Sequence, residues 1–154
     1  MMVHWPYILL LYFLPCKEQT SDNIVKVIAS EVTAYPGKSG VLYIYVEVKR
    51  GYHIQANKVN DEFIIPTTLE INTGGIITIG KHSFPAGKKF RLEGTNDYLL
   101  VYDGVFKIIT SFNTREKIQQ GNYTLDAQLR YQACDAKTCF SPRTVAFSVA
   151  VRIV

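Results

Sequence analysis

Three stretches of this chain alternate apolar and polar residues with a period of two, and that pattern restricts the fold more than any other feature. In 41–50, Leu42, Ile44, Val46 and Val48 share one face, and Tyr43, Tyr45, Glu47 and Lys49 share the other. Within 123–133, Leu125, Ala127, Leu129 and Tyr131 oppose Asp126, Gln128, Arg130 and Gln132. Val145, Phe147, Val149 and Val151 repeat the arrangement within 145–154. Only a strand sends successive side chains to opposite faces, so each segment offers one face to a core and one to water.

The rest of the chain reads in the same way. Residues 24–34 are rich in β-branched types, and shorter strands are expected at 52–55, 67–72, 76–79, 99–102 and 105–112. Tyr35-Pro36-Gly37, Gly74-Gly75, Phe84-Pro85-Ala86-Gly87 and Asp103-Gly104 supply turns between them, and the polar run 113–120 has room for a helical turn. Eight or nine short strands without a long amphipathic helix imply an all-β fold, an immunoglobulin-like antiparallel β-sandwich. A length of 154 residues suits one such domain, and 47% apolar content is enough for its core. The net charge of +4 is modest. Gly87-Lys88-Lys89, the densest basic spot, reads as a solvated turn, so no basic stripe argues for nucleic acid.

The first sixteen residues hold no charged side chain apart from the terminus, and Trp5 to Leu14 form an apolar run. Ten residues are too few to span a bilayer, which needs about 20. The run fits the hydrophobic part of a secretory or lipoprotein leader at 1–16, although a basic start is missing. Cys16 stands where a lipoprotein carries its acylated cysteine, making it the expected membrane anchor, if there is one. A polar linker, 17–23, follows, and the sandwich is expected over 24–154. Removal of the leader leaves two cysteines, Cys134 and Cys139, and an even count in an exported protein invites a disulfide.

These two cysteines lie between the last two alternating segments, with four residues separating them. Opposed residues in an antiparallel ladder have Cα atoms about 4.5–5.5 Å apart, which a disulfide can bridge. As a staple the bridge closes a small loop and stabilises the fold by roughly 2 kcal/mol. A short exposed bridge is also the kind that takes part in exchange. Lys137 favours a thiolate and Asp135 opposes one, so spacing leaves staple and switch evenly matched.

The run Tyr131-Gln132-Ala133-Cys134-Asp135-Ala136-Lys137-Thr138-Cys139-Phe140-Ser141-Pro142 resembles the active-site segment of the N-terminal periplasmic domain of the DsbD thiol:disulfide interchange family. Gly51-Tyr52-His53-Ile54, Asp61 to Thr67 and Val101-Tyr102-Asp103-Gly104 follow the family's order, so the resemblance covers most of 24–154. It implies a domain that relays reducing equivalents, without metal or organic cofactor. The donor would be a thioredoxin-like or membrane-embedded protein, and the acceptors disulfide-containing periplasmic proteins. By position Cys139 would form the mixed disulfide with partners and Cys134 would resolve it. The family's aromatic cap loop corresponds by order to Glu93–Tyr98, where Tyr98 is the aromatic residue. Asp61-Glu62-Phe63 looks more like the cap sequence but lies too early to take that role. The family's membrane carrier and thioredoxin-like Cys-x-x-Cys domain have no counterpart in these residues, so the resemblance implies that other proteins supply them.

Other chemistry finds less support. His4, His53 and His82 are scattered and none follows Cys139, which argues against a copper site; His53 and His82 read as surface or strand-end residues. Asp61 with Glu62, and Asp97 with Asp103, have no spacing that brings them together as acid–base pairs. Asn122-Tyr123-Thr124 fits a glycosylation acceptor, which a bacterial chain normally ignores. The competing function is an exported immunoglobulin-like binding module whose disulfide only pins a turn.

Overall fold

In the computed structural model, which describes residues 20–21 and 24–154, the alternating segments become the longest strands. The leader at 1–16, with Cys16, and most of the 17–23 linker lie outside the described residues. In chain order the strands are β1 (Thr20–Ser21), β2 (Val25–Ala29), β3 (Val32–Ala34), β4 (Ser39–Val48), β5 (His53–Gln55) and β6 (Thr68–Asn72). They continue with β7 (Ile77–Ser83), β8 (Lys88–Arg91), β9 (Tyr98–Tyr102), β10 (Val105–Thr114), β11 (Gly121–Tyr131), β12 (Ala133–Cys134) and β13 (Arg143–Ile153). The described residues contain no helix.

Two sheets form the sandwich, one in the order β1-β2-β4-β10-β7 and the other β3-β13-β11-β6. The inward faces are those the alternation marks. Leu42, Ile44, Val46 and Val48 from β4 join one buried cluster with Leu125, Leu129 and Tyr131 from β11 and Val145, Val149 and Val151 from β13. Each fully buried aliphatic side chain contributes about 1.5–3 kcal/mol of transfer free energy, so the core rests on these strands. Tyr43, Tyr45, Glu47 and the outward residues of β11 stay in solvent contact.

Three expectations need correction. The 24–34 segment is two strands, broken where Ser30 and Glu31 interrupt the apolar pattern. Its first half pairs with β4, and its second runs parallel to β13 in the opposite sheet. Ser30 holds the break: its N–H donates to the Tyr43 carbonyl at 2.9 Å and its Oγ accepts the Tyr43 N–H at 3.3 Å. The helical turn in 113–120 does not form. Asn113 and Thr114 complete β10, and Thr114 N–H donates to Lys38 O while Gly37 N–H donates to Arg115 O. Extending the β4–β10 ladder satisfies those backbone groups without the cost of nucleating a helix. Lys88 and Lys89 belong to β8, which pairs with β9, rather than to a turn.

A third sheet, β12-β5-β9-β8, grows from the sandwich. Each of three strands continues from a sandwich strand across a short break. β4 leads to β5 through the Gly51 turn, β9 to β10 through Asp103-Gly104, and β11 to β12 past Gln132. Gly104 has φ of 60°, a left-handed conformation that glycine takes without strain. Asp103-Gly104 passes the chain from one sheet to the other rather than closing a hairpin, since β9 pairs with β5 and β8 while β10 pairs with β4 and β7. Because these strands leave a rigid sandwich together, what they carry is fixed relative to the core. They carry the cysteines.

Candidate functional site

Cys134 ends β12 and lies opposite His53 of β5, while Ala133 lies opposite Ile54. Four residues later the chain returns, and Phe140 N–H donates to Ala133 O at 2.8 Å. That return faces Cys139 to Cys134 with Cα atoms 3.9 Å apart, and the two sulfurs form a disulfide. The loop between them is wound by Asp135. Its N–H donates to Thr138 O, and its Oδ1 accepts the N–H groups of Lys137 at 2.8 Å and Thr138 at 2.7 Å. Those two backbone donors, foremost, hold the Asp135 carboxyl below its ordinary value, with smaller help from the charges of His53 and Lys137.

The bridge is not uniformly exposed, as the sequence suggested. Cys134 is wholly buried at 0% exposure, whereas Cys139 is half-buried. Beneath it lies Gln55, also at 0% exposure. Its Nε2 donates to Cys134 Sγ at 3.1 Å and reaches Cys139 Sγ at 3.8 Å. Its backbone is fixed on both sides: the N–H donates to Gln132 O, and the carbonyl accepts the Thr67 hydroxyl at 2.5 Å. Gln132, part of the sequence motif, ties two loops together. Its Oε1 accepts Ile65 N–H at 2.9 Å, and its Nε2 donates to Phe140 O at 3.1 Å.

His53 is a strand-end residue but not a surface one, being 5% exposed and packed against Phe90 with ring centroids 3.8 Å apart and the planes tilted by 41°. Burial pushes its pKa down, against the opposing pull of Asp103 and Asp135. Its Nε2 has no hydrogen-bond partner. His82 is bonded to Thr110 through Nδ1, on β7, away from the cysteines in the sheet order. The turn between β8 and β9 docks on the cysteine loop through its backbone, Glu93 N–H donating to Ala136 O at 3.1 Å. Tyr98, the aromatic residue expected there, instead lies under Arg91, whose Nη2 donates to its hydroxyl at 2.6 Å. Phe90 is the aromatic residue that reaches the strand beside Cys134.

Of the other candidates, Asp61, Glu62 and Asp97 line one shallow depression with Phe63 and Tyr98. Asp103 is apart from them, paired with Lys88. The described residues contain no group of three or more His, Cys, Asp or Glu arranged for a metal. Gln55 and Phe90 were missed by sequence reasoning. Gln55 ends a weak strand where a lone polar residue reads as solvent-facing, and Phe90 sits in a basic run that hid its strand. The one available signal for Gln55 was its position two residues from His53, hence on the same strand face.

A family model described as the N-terminal part of the thiol:disulfide interchange protein DsbD matches residues 22–150. Among solved structures, the N-terminal periplasmic domain of ScsB from Proteus mirabilis superposes with a TM-score of 0.59 at 10% identity. The match covers 85% of this chain and 50% of that one, so the chain spans half that structure's length. The N-terminal domain of DsbD from Neisseria meningitidis, in its reduced form, gives a TM-score of 0.44 at 14% identity over 72% of this chain and 77% of that one. No curated protein sequence matches the chain.

Proposed function

The chain belongs to the family of DsbD N-terminal domains, and from that premise we propose that it relays reducing equivalents in the periplasm through Cys134 and Cys139. The observation that carries this reading is the unequal burial of the two sulfurs, which leaves Cys139 the one a partner thiol can reach. The apolar leader would serve as the export signal, and no helix among the described residues is long and apolar enough to cross a membrane.

Loading begins when a thiolate of a reduced thioredoxin-like donor attacks Cys139 Sγ. The S–S bond breaks, its electron pair leaves on Cys134 Sγ, and a donor–Cys139 mixed disulfide forms. The donor's second thiolate then attacks the donor sulfur of that bond, releasing Cys139 and leaving the donor oxidised. Two electrons have moved, and two protons from solvent complete the dithiol. Unloading reverses the roles: Cys139 thiolate attacks an acceptor disulfide, Cys134 displaces the acceptor's sulfur, and the bridge closes again.

A Cys134→Ser variant is expected to accumulate a mixed disulfide through Cys139 with a thioredoxin-like protein. Cys139→Ser should trap far less, because its remaining sulfur is buried. The reduction potential against glutathione should lie above the roughly −300 mV below which structural bridges fall. A lower potential with no trapped partner would instead support the binding module, whose disulfide only pins a turn.

A further inference from the structure

Among the described residues Gln55 hydrogen-bonds to the bridge through its side chain, and its amide is only half satisfied. The nitrogen end faces the sulfurs, as it must: a disulfide sulfur carries no hydrogen and can only accept. The oxygen end, Oε1, is buried and has no donor. A buried acceptor without a partner forfeits its hydration with nothing in return, so the oxidised protein holds this group at a disadvantage.

Reduction removes the disadvantage. Once Cys134 gains a proton it becomes a donor as well as an acceptor, lying 3.1 Å from the same amide. We infer that Gln55 is a redox-responsive amide, satisfied at one end in the disulfide and at both ends in the dithiol. Its N–H stabilises the electron pair that Cys134 receives when Cys139 is attacked, and its Oε1 accepts the S–H after protonation. The leaving thiolate departs faster for that stabilisation. Both effects favour reduction. The hydrogen bonds at Gln132 and Thr67 fix the main chain that carries the amide, and neither involves the sulfurs. This inference deepens the relay reading and rests on it for its biological use, but not for its chemistry.

The test is equilibration of Gln55→Leu and Gln55→Glu with glutathione redox buffers, alongside titration of the Cys134 thiol by thiolate ultraviolet absorbance in a Cys139→Ser background. Leucine removes both ends of the amide at similar volume. The expected result is roughly a tenfold fall in the equilibrium constant for reduction, a potential about 30 mV more negative. The Cys134 pKa should rise, and the oxidised variant should melt no lower than the wild type. Glutamate places a negative charge beside the sulfur and should raise the Cys134 pKa further. Circular dichroism of the oxidised variants verifies the fold, and Gln55→Met serves as a second apolar replacement if leucine packs badly. An unchanged constant and an unchanged Cys134 pKa in folded apolar variants would overturn the inference. Because glutathione replaces the partner, failure to trap any thioredoxin-like protein would count against the relay while leaving this result standing.

Discussion

His53 shows how a single side chain near the bridge sets a condition on the whole chain. Burial depresses its pKa below the ordinary value near 6.5, so as pH falls the unfolded chain takes up the proton first. Its contribution to stability is therefore full above about pH 6.5 and is lost as pH falls through the depressed folded value. His82 is shifted the same way, by burial, and adds to the decline. Urea unfolding at about pH 7.5 and about pH 5 should show lower stability at the acid end. His53→Phe, which keeps a ring against Phe90, should shrink that difference but not abolish it; an equal decline in both proteins would remove His53 from the explanation. At this scale the sequence was legible for the bridge itself, since Cys134 and Cys139 pair as their spacing in a strand junction allows. It was silent on Gln55 and misleading on His53, because whether a polar side chain in a short strand faces water depends on which strand arrives next to it. β9 and β12 come from distant parts of the chain.

Among the elements, β4, β11 and β13 lie within a few residues of where alternation puts them, since each is long enough for one face to be fully buried. β8 was hidden because three of its four residues are cationic, and its strand character comes from pairing with β9 rather than from burial. The β4–β10 pair adds a detail no pattern reveals. Gly40 lies opposite Phe112, whose 1%-exposed ring covers it. A Cβ on Gly40 would stand 2.9 Å from Phe112 Cε1 and Cε2 and closer still to Cζ. Either the buried ring or the backbone must shift, so Gly40→Ala is expected to destabilise the protein by about 1–3 kcal/mol, the range for overpacking. Thermal unfolding provides the measurement. A variant as stable as the wild type would mean that the ring can leave its place over the glycine.

For the molecule as a whole, the disulfide is a small part of what holds it together. The core is continuous between the two sheets without it, and the loop it closes accounts for about 2 kcal/mol. The Cys134→Ser, Cys139→Ser double variant should therefore fold, with a melting temperature lower by about 4–8 °C. Failure to fold would make the bridge a structural necessity. The architecture was legible because a sandwich is a repetition of one local rule. Of the third sheet, β5 and β9 were expected, but β8 and β12, and the pairing of the four, were not, since such short strands gain their identity from one another. The burial of one sulfur and not the other has a kinetic meaning under the proposed relay. A bridge with a single reachable terminal cannot hold a donor and an acceptor at once, so on that proposal the protein would act as a shuttle and not a wire. It must be charged, let go, and be discharged elsewhere. Its throughput is then set by how often it meets each partner, and confinement beside them, which raises their effective concentration, does the work of a second terminal.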